Sequence, residues 1–364
     1  MQPIMQITYR PQWQQLKIAF YQDRILYIYV LITTLLVYLL SSMFLDNQSL
    51  KFDPFIYLDM LIQVCYISFL IWATGFYLFL AYNRTPHPLH HFVKAIKSSI
   101  NPSHKALSFI FLILALNFTF SSYTFIKPLI PQINPFQYDR LFHQLDQWLH
   151  LGYTPWQITH YIFSSAIATS ILNILYHLWF LLKWGAILFF IVRRDLIQLR
   201  VQFLLTFLSS WLLIGGLGAI ALSAAGPCYL HLLDPDALYY QPLMQRLIEQ
   251  NHELTQLGWF RVWVLDVQDT LWQMHISQQQ SIGGGISAMP SMHVSIAVLM
   301  ALAAYRYNKR LGLVMWLYAI TIQIGSVHLA WHYAVDGYFS AIFTVCLWKG
   351  IGWIQNHFGQ SNKV

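Results

Sequence analysis

From 25 to 45 the chain runs without a single charged side chain, and further apolar stretches nearly free of charge follow at 58–82, 106–126, 170–192, 201–223, 291–306, 311–330 and 336–354. A helix rises 1.5 Å per residue, so about 20 apolar residues are needed to cross a hydrocarbon layer about 30 Å thick. Inside lipid every backbone N–H and C=O must be satisfied within the chain, and long apolar segments meet that demand as helices. Eight spans are expected, with 291–306 the shortest. The fold class is all-α, a polytopic transmembrane helical bundle. Only 10% of the residues are charged and 57% are hydrophobic, whereas soluble domains carry about 25% charged residues.

The basic residues set the sidedness. With both termini in the cytoplasm, the inner segments hold Arg10, Lys17, Arg24, Arg84, Lys94, Lys97, Lys105, Arg193, Arg194, Arg200, Arg306, Lys309, Arg310, Lys349 and Lys363, fifteen of the twenty-one. The outer segments hold Lys51, Lys127, Arg140, Arg246 and Arg261, and Lys183 lies within the fourth span. This asymmetry follows the positive-inside rule. The first segment lacks the short apolar core and small-residue cleavage site of a secretory signal, so the first span is expected to be retained. A bacterial inner membrane is the expected location. The net charge of +7 is scattered between apolar runs and forms no patch, which argues against a nucleic-acid partner. Cys65, Cys228 and Cys346 lie far apart, so neither a disulfide framework nor a metal knuckle is expected.

Two outer segments are long. In 127–169 the residues Leu141, Leu145, Trp148 and Leu149 recur at helical spacing, which predicts an amphipathic helix on the outer interface. The segment 226–290 opens with Gly-Pro-Cys-Tyr and closes with Gly283-Gly284-Gly285, and two short helices are expected in it, at about 238–255 and 263–276. His87, His90, His91 and His104 read as a cytoplasmic interfacial loop. No internal repeat and no hydrophilic linker interrupts the chain.

Polar residues gather at the outer ends of the last three spans. Pro290-Ser291-Met292-His293 opens the sixth, His328 ends the seventh, and His332 with Asp336 opens the eighth. Proline suits the first turn of a helix, and the free N–H groups there favour an anion near Ser291 and His293. His332 and Asp336 are four residues apart, which on a helix is one face. A carboxylate can accept a hydrogen bond from the N–H of one imidazole nitrogen, fix the tautomer and leave the other nitrogen nucleophilic. A second imidazole across the site can protonate a departing oxygen. These parts suffice for displacement at phosphorus. Ionisable groups at membrane depth are costly, so functional use is the first reading.

PSMH followed by GSVHLAWHYAVD resembles the second and third signatures of the type-2 phosphatidic acid phosphatase superfamily, PSGH and SRxxxxxHxxxD. The resemblance is closest to the inositol phosphorylceramide synthase-like branch, which is related to sphingomyelin synthases and accepts a bulky residue at the position of Met292. GPCY and GGGISAMPSMH also resemble that branch. The resemblance covers about 220–340. It implies a six-helix phosphatase-like core with His332 as nucleophile, Asp336 as its orienting partner, His293 as general acid and Ser291 as a donor to a phosphate oxygen. It divides the chain into N-terminal transmembrane helices over 1–126 and a catalytic membrane domain over 127–364 that includes the outer loop 226–290.

The sequence departs from the family pattern where the phosphate clamp should be. No KxxxxxxRP precedes the second signature, and Ser326 stands at the Arg of the third. Candidate replacements are His328, Lys183, Arg246 and Arg261. A phosphomonoester carries nearly two negative charges and rewards several cations, and a diester carries one. Fewer cations therefore suit a phospholipid head group passed to a hydroxyl acceptor or to water, with no organic cofactor and no metal required. Other readings stay open: a polyprenyl diphosphate or phosphatidic acid phosphatase, a metal-dependent hydrolase with His328 and His332 at i, i+4, a transporter, and a non-catalytic lipid-binding relative.

Overall fold

The structure, a computed structural model, describes residues 11–43, 51–100, 103–278 and 280–359; Arg10 and Lys363, counted above with the inner basic residues, lie outside the described residues. Helix follows helix, and no strand occurs among the described residues. The N-terminal group comprises α1 (Gln12–Ser42), α2 (Leu58–Tyr82), α3 (Pro88–Ile100) and α4 (Ser103–Ile133). Two short helices follow, α5 (Asp139–Leu149) and α6 (Pro155–Ile162). Next come α7 (Ala166–Val192) and α8 (Ile197–Ser209), and α8 runs through a π-helical stretch, Ser210–Gly218, into α9 (Ala219–Ala221). The short helices α10 (Leu230–Leu233), α11 (Gln241–Gln256) and α12 (Val264–Ile276) come before the last three, α13 (Met292–Tyr307), α14 (Lys309–His328) and α15 (Ala334–Gly359). The two short helices expected in 226–290 correspond to α11 and α12.

Among the described residues seven helices are long and apolar enough to span a membrane, so the chain is an integral multi-pass membrane protein. The remaining expected span, the sixth, is α13. Its 16 residues reach only about 24 Å. It does not face lipid: Val294 through Ala301 are all buried, wrapped by α7, α8, α14 and α15. Its start is recessed. His293 packs against Trp179, which lies some 20 Å along α7 from that helix's N-terminus.

Asp23 joins the N-terminal helices to this core. The carboxylate is fully buried, pairs with Arg200 and, at 3.2 Å, with Arg194, and accepts the Ser108 hydroxyl at 2.9 Å. The cluster ties α1, α4 and α8 together, and losing one partner would strand a buried charge. α3 replaces the loop expected around His87, His90 and His91. Leu89, Phe92, Val93 and Ile96 recur at i, i+3, i+4 and i+7, a helical period that the histidines obscure.

α5 is turned opposite to a helix of a soluble protein. Asp139, His143 and Asp146 are buried, while Leu141, Leu145, Trp148 and Leu149 are exposed. A helix at a lipid surface needs this arrangement, with its apolar face in the acyl boundary and its polar face on the protein.

Candidate active site

α15 begins after Tyr333, whose side chain cannot cap a helix, so its first N–H groups need partners from elsewhere. Asp336, in the third position, reaches back and accepts the Tyr333 N–H through Oδ2 at 3.0 Å, as the acidic residue of a capping box does. The Ala334 and Val335 N–H groups donate to Asp146 Oδ2 and Oδ1 at 2.8 and 2.9 Å. Asp336 Oδ2 also accepts from His332 Nδ1 at 3.2 Å. The His332–Asp336 contact is therefore not the one-face pairing of a continuous helix expected from the spacing. His332 precedes α15, and a carboxylate that turns back over the helix start meets it. With Nδ1 held as donor, Nε2 is the nitrogen with a free lone pair. Burial lowers the His332 pKa to about 4; the Ala288 carbonyl opposes the shift and the Lys127 charge adds to it. The imidazole is neutral at pH 7.

Ser291 caps α13. Its Oγ accepts the Val294 N–H at 3.4 Å, and its own N–H donates to the Asp336 carbonyl at 3.3 Å, which fastens the start of α13 to the start of α15. His293, the second residue of α13, lies between Tyr176 and Trp179, with ring centroids 4.6 and 4.4 Å away. Trp179 Nε1 donates to the His293 carbonyl at 3.0 Å. The His293 and His332 centroids are 6.4 Å apart.

Two lysines stand near these imidazoles. Lys183 is buried on α7, one turn beyond Trp179, and the ammonium meets rings instead of a carboxylate: Trp179 at 4.6 Å, Trp184 at 4.7 Å and Phe180 at 5.1 Å. Such contacts offset part of the cost of a desolvated cation. Lys127, near the end of α4, is within electrostatic reach of both His293 and His332. Sequence reasoning placed it in an outer segment and gave it no role. Its spacing to PSMH carries no signal, because a distant loop brings it in. Gly285, at φ +80°, lies so close that a Cβ there would sit 3.0 Å from Lys127 Cγ.

The other proposed cations lie elsewhere. Arg261 pairs with Asp266 at 2.8 Å and is about half exposed. Arg246 donates to the Ser164 carbonyl at 3.1 Å. His328 is fully buried, stacks on His160 at 3.7 Å and bonds Thr169 at 2.9 Å. α14 ends at His328 and the chain turns through Ala330 at φ +63°. His328 and His332 therefore share no helix face, and the i, i+4 pair expected for a metal site does not form. Among the described residues no three His, Cys, Asp or Glu side chains come together as a metal cluster.

The loops that carry His332 and approach His293 meet at Gly226. Its φ is +105°, and a Cβ would fall 2.8 Å from the Trp331 carbonyl oxygen and 2.9 Å from Ala288 Cβ. Its N–H donates to Asp139 Oδ1 at 2.8 Å, the Ala225 N–H to Oδ2 at 3.0 Å, and the Tyr333 hydroxyl to Oδ1 at 2.9 Å. Asp139 and Asp146, both on α5, thus grip the two sides of the segment that bears His332.

A family model described as the PAP2 superfamily matches residues 140–348, which include His293, His332 and Asp336. The comparisons with curated proteins and with solved structures gave no match. The matched segment is more than half of the 364 residues. All-helical and membrane-embedded, with a phosphatase-type chemistry on lipid phosphates to be expected of it, the chain belongs to the PAP2 superfamily.

Proposed function

We propose that the protein transfers a phosphoryl-bearing head group from a lipid to a hydroxyl acceptor through a phosphohistidine on His332. The observation that carries this reading is the 6.4 Å separation of two imidazoles, one of them held by a buried carboxylate on its Nδ1. A phosphoryl group between them can lie about 3–3.5 Å from the nucleophilic nitrogen while its leaving oxygen is in hydrogen-bond reach of the other ring.

In the first step His332 Nε2 forms the bond to phosphorus, the bond to the leaving oxygen breaks, and protonated His293 gives its proton to that oxygen. In the second step neutral His293 takes the proton of the acceptor hydroxyl, whose oxygen displaces the imidazole. Asp336 stabilises the positive charge on the ring in both. Lys127 and the Ser291 hydroxyl proton face the phosphate oxygens. Among the described residues, two lysines and no arginine beside the imidazoles suit the single charge of a phosphodiester better than a monoester. Enclosure supports transfer over hydrolysis: His332 is 7% exposed and Asp336 fully buried. We place this site on the non-cytoplasmic face, with both termini inside.

Purified protein incubated with phosphatidic acid, an intact phospholipid or a polyprenyl diphosphate, each with and without a lipid alcohol, tests this when products are identified by mass. Head-group transfer from the intact phospholipid that vanishes in His332→Ala is the expected result. A strong preference for phosphatidic acid with release of inorganic phosphate would replace transfer by hydrolysis. Turnover that survives His332→Ala would overturn the mechanism.

A further inference from the structure

The polar face of α5 does more than bury charge. Asp146 takes two consecutive N–H groups, Ala334 at 2.8 Å and Val335 at 2.9 Å, one on each carboxylate oxygen. Those residues lie between His332 and Asp336, so a shift of this turn moves nucleophile and carboxylate relative to His293. Asp146 is 1% exposed, and α15 offers no capping side chain of its own before Asp336. Without Asp146, two buried donors at the helix start lose their acceptor. The α15 start could then fray or tilt, and Asp336 Oδ2, shared between His332 Nδ1 and the Tyr333 N–H, would lose its fixed place.

We infer that Asp146 is a positioning residue: a cap supplied in trans by the lipid-facing helix α5, holding the 332–336 turn in the register that aims His332 at the phosphorus. Asp139 supports the same turn from its other side through the Tyr333 hydroxyl and the Ala225 and Gly226 N–H groups. The burial of both carboxylates opposite Leu141, Leu145, Trp148 and Leu149 explains why this short helix pairs a lipid face with an acidic one. Burial raises the Asp146 pKa to about 7, against the two N–H bonds that favour its charged form.

This inference rests on the phosphohistidine reading, and the test separates the two. Full-length His332→Ala, Asp146→Asn and Asp146→Ala are purified in detergent. For each, kcat and KM are measured on the lipid the wild type turns over, the stoichiometry of trapped phosphoenzyme counts competent molecules, and a melting curve reports folding. Asp146→Ala is expected to lower kcat per competent molecule 10- to 100-fold with KM within twofold. Asp146→Asn, which keeps one carbonyl acceptor, should fall between it and wild type. Unchanged kcat per competent molecule in Asp146→Ala, with only the competent fraction reduced, overturns the positioning role, as does failure of both Asp146 variants to fold. Undiminished turnover in His332→Ala sinks the phosphohistidine reading itself, whatever the Asp146 variants do.

Discussion

Asp336→Asn isolates charge from shape. The amide keeps the size of the side chain and can turn its oxygen to the place of Oδ2, where it still accepts from the Tyr333 N–H and His332 Nδ1, now at 3.0 and 3.2 Å. Two charge-assisted bonds become neutral ones, a loss of about 1 kcal/mol each, so the fold should survive. The loss in chemistry is larger. When His332 bonds phosphorus its ring becomes cationic, and a full charge 3.2 Å away is worth about 5 kcal/mol at an effective dielectric of about 20. At 1.36 kcal/mol per decade that is more than three decades of rate. A neutral amide dipole recovers part of it, so kcat should fall about 10³-fold. KM should hold within about threefold, because the ring is uncharged in the ground state. The assay is initial-rate transfer in detergent micelles, with the melting curve as the folding control. A folded Asp336→Asn protein that keeps more than about a tenth of wild-type kcat would refute the electrostatic argument.

Three further outcomes follow from the geometry. Lys127→Ala removes the cation proposed to meet the phosphate, one within electrostatic reach of both imidazoles, and should lower kcat/KM about 10- to 100-fold, the worth of one charge-assisted hydrogen bond; equal kcat/KM in a titration against lipid would remove Lys127 from the site. Because His332 is held near pKa 4, it is already deprotonated at pH 5, so kcat/KM should not fall as the pH drops from 8 to 5, and the need for a protonated His293 should make it rise; a tenfold fall per unit toward acid beginning near pH 6.5 would mean an unshifted His332 imidazole. Arg261→Ala breaks only an exposed pair, worth at most about 1 kcal/mol of stability, and turnover should stay within twofold; a larger loss would return Arg261 to the phosphate.

The spans were legible because lipid leaves a chain few options, and the starts of α13 and α15 because helix starts concentrate the residues that anions need. What stayed hidden has one physical cause. Lys127, Asp139 and Asp146 reach the site across more than a hundred residues, through a glycine that lets a loop lie on α4 and through a helix whose acidic face turns inward. Residue spacing records neighbours on one helix; it holds no trace of a partner from another. The same limit made His328 look like a neighbour of His332, four residues on, although the chain leaves the helix between them. One clue was available: Asp139 and Asp146 lie seven residues apart on a helix whose other face is Leu141, Leu145, Trp148 and Leu149. Two carboxylates at that spacing share a face. On a helix that gives its apolar side to lipid, that face can only turn toward protein. Carboxylates on the inward side of an interfacial helix must then find donors, and a helix start without its own cap is where unpaired donors are found.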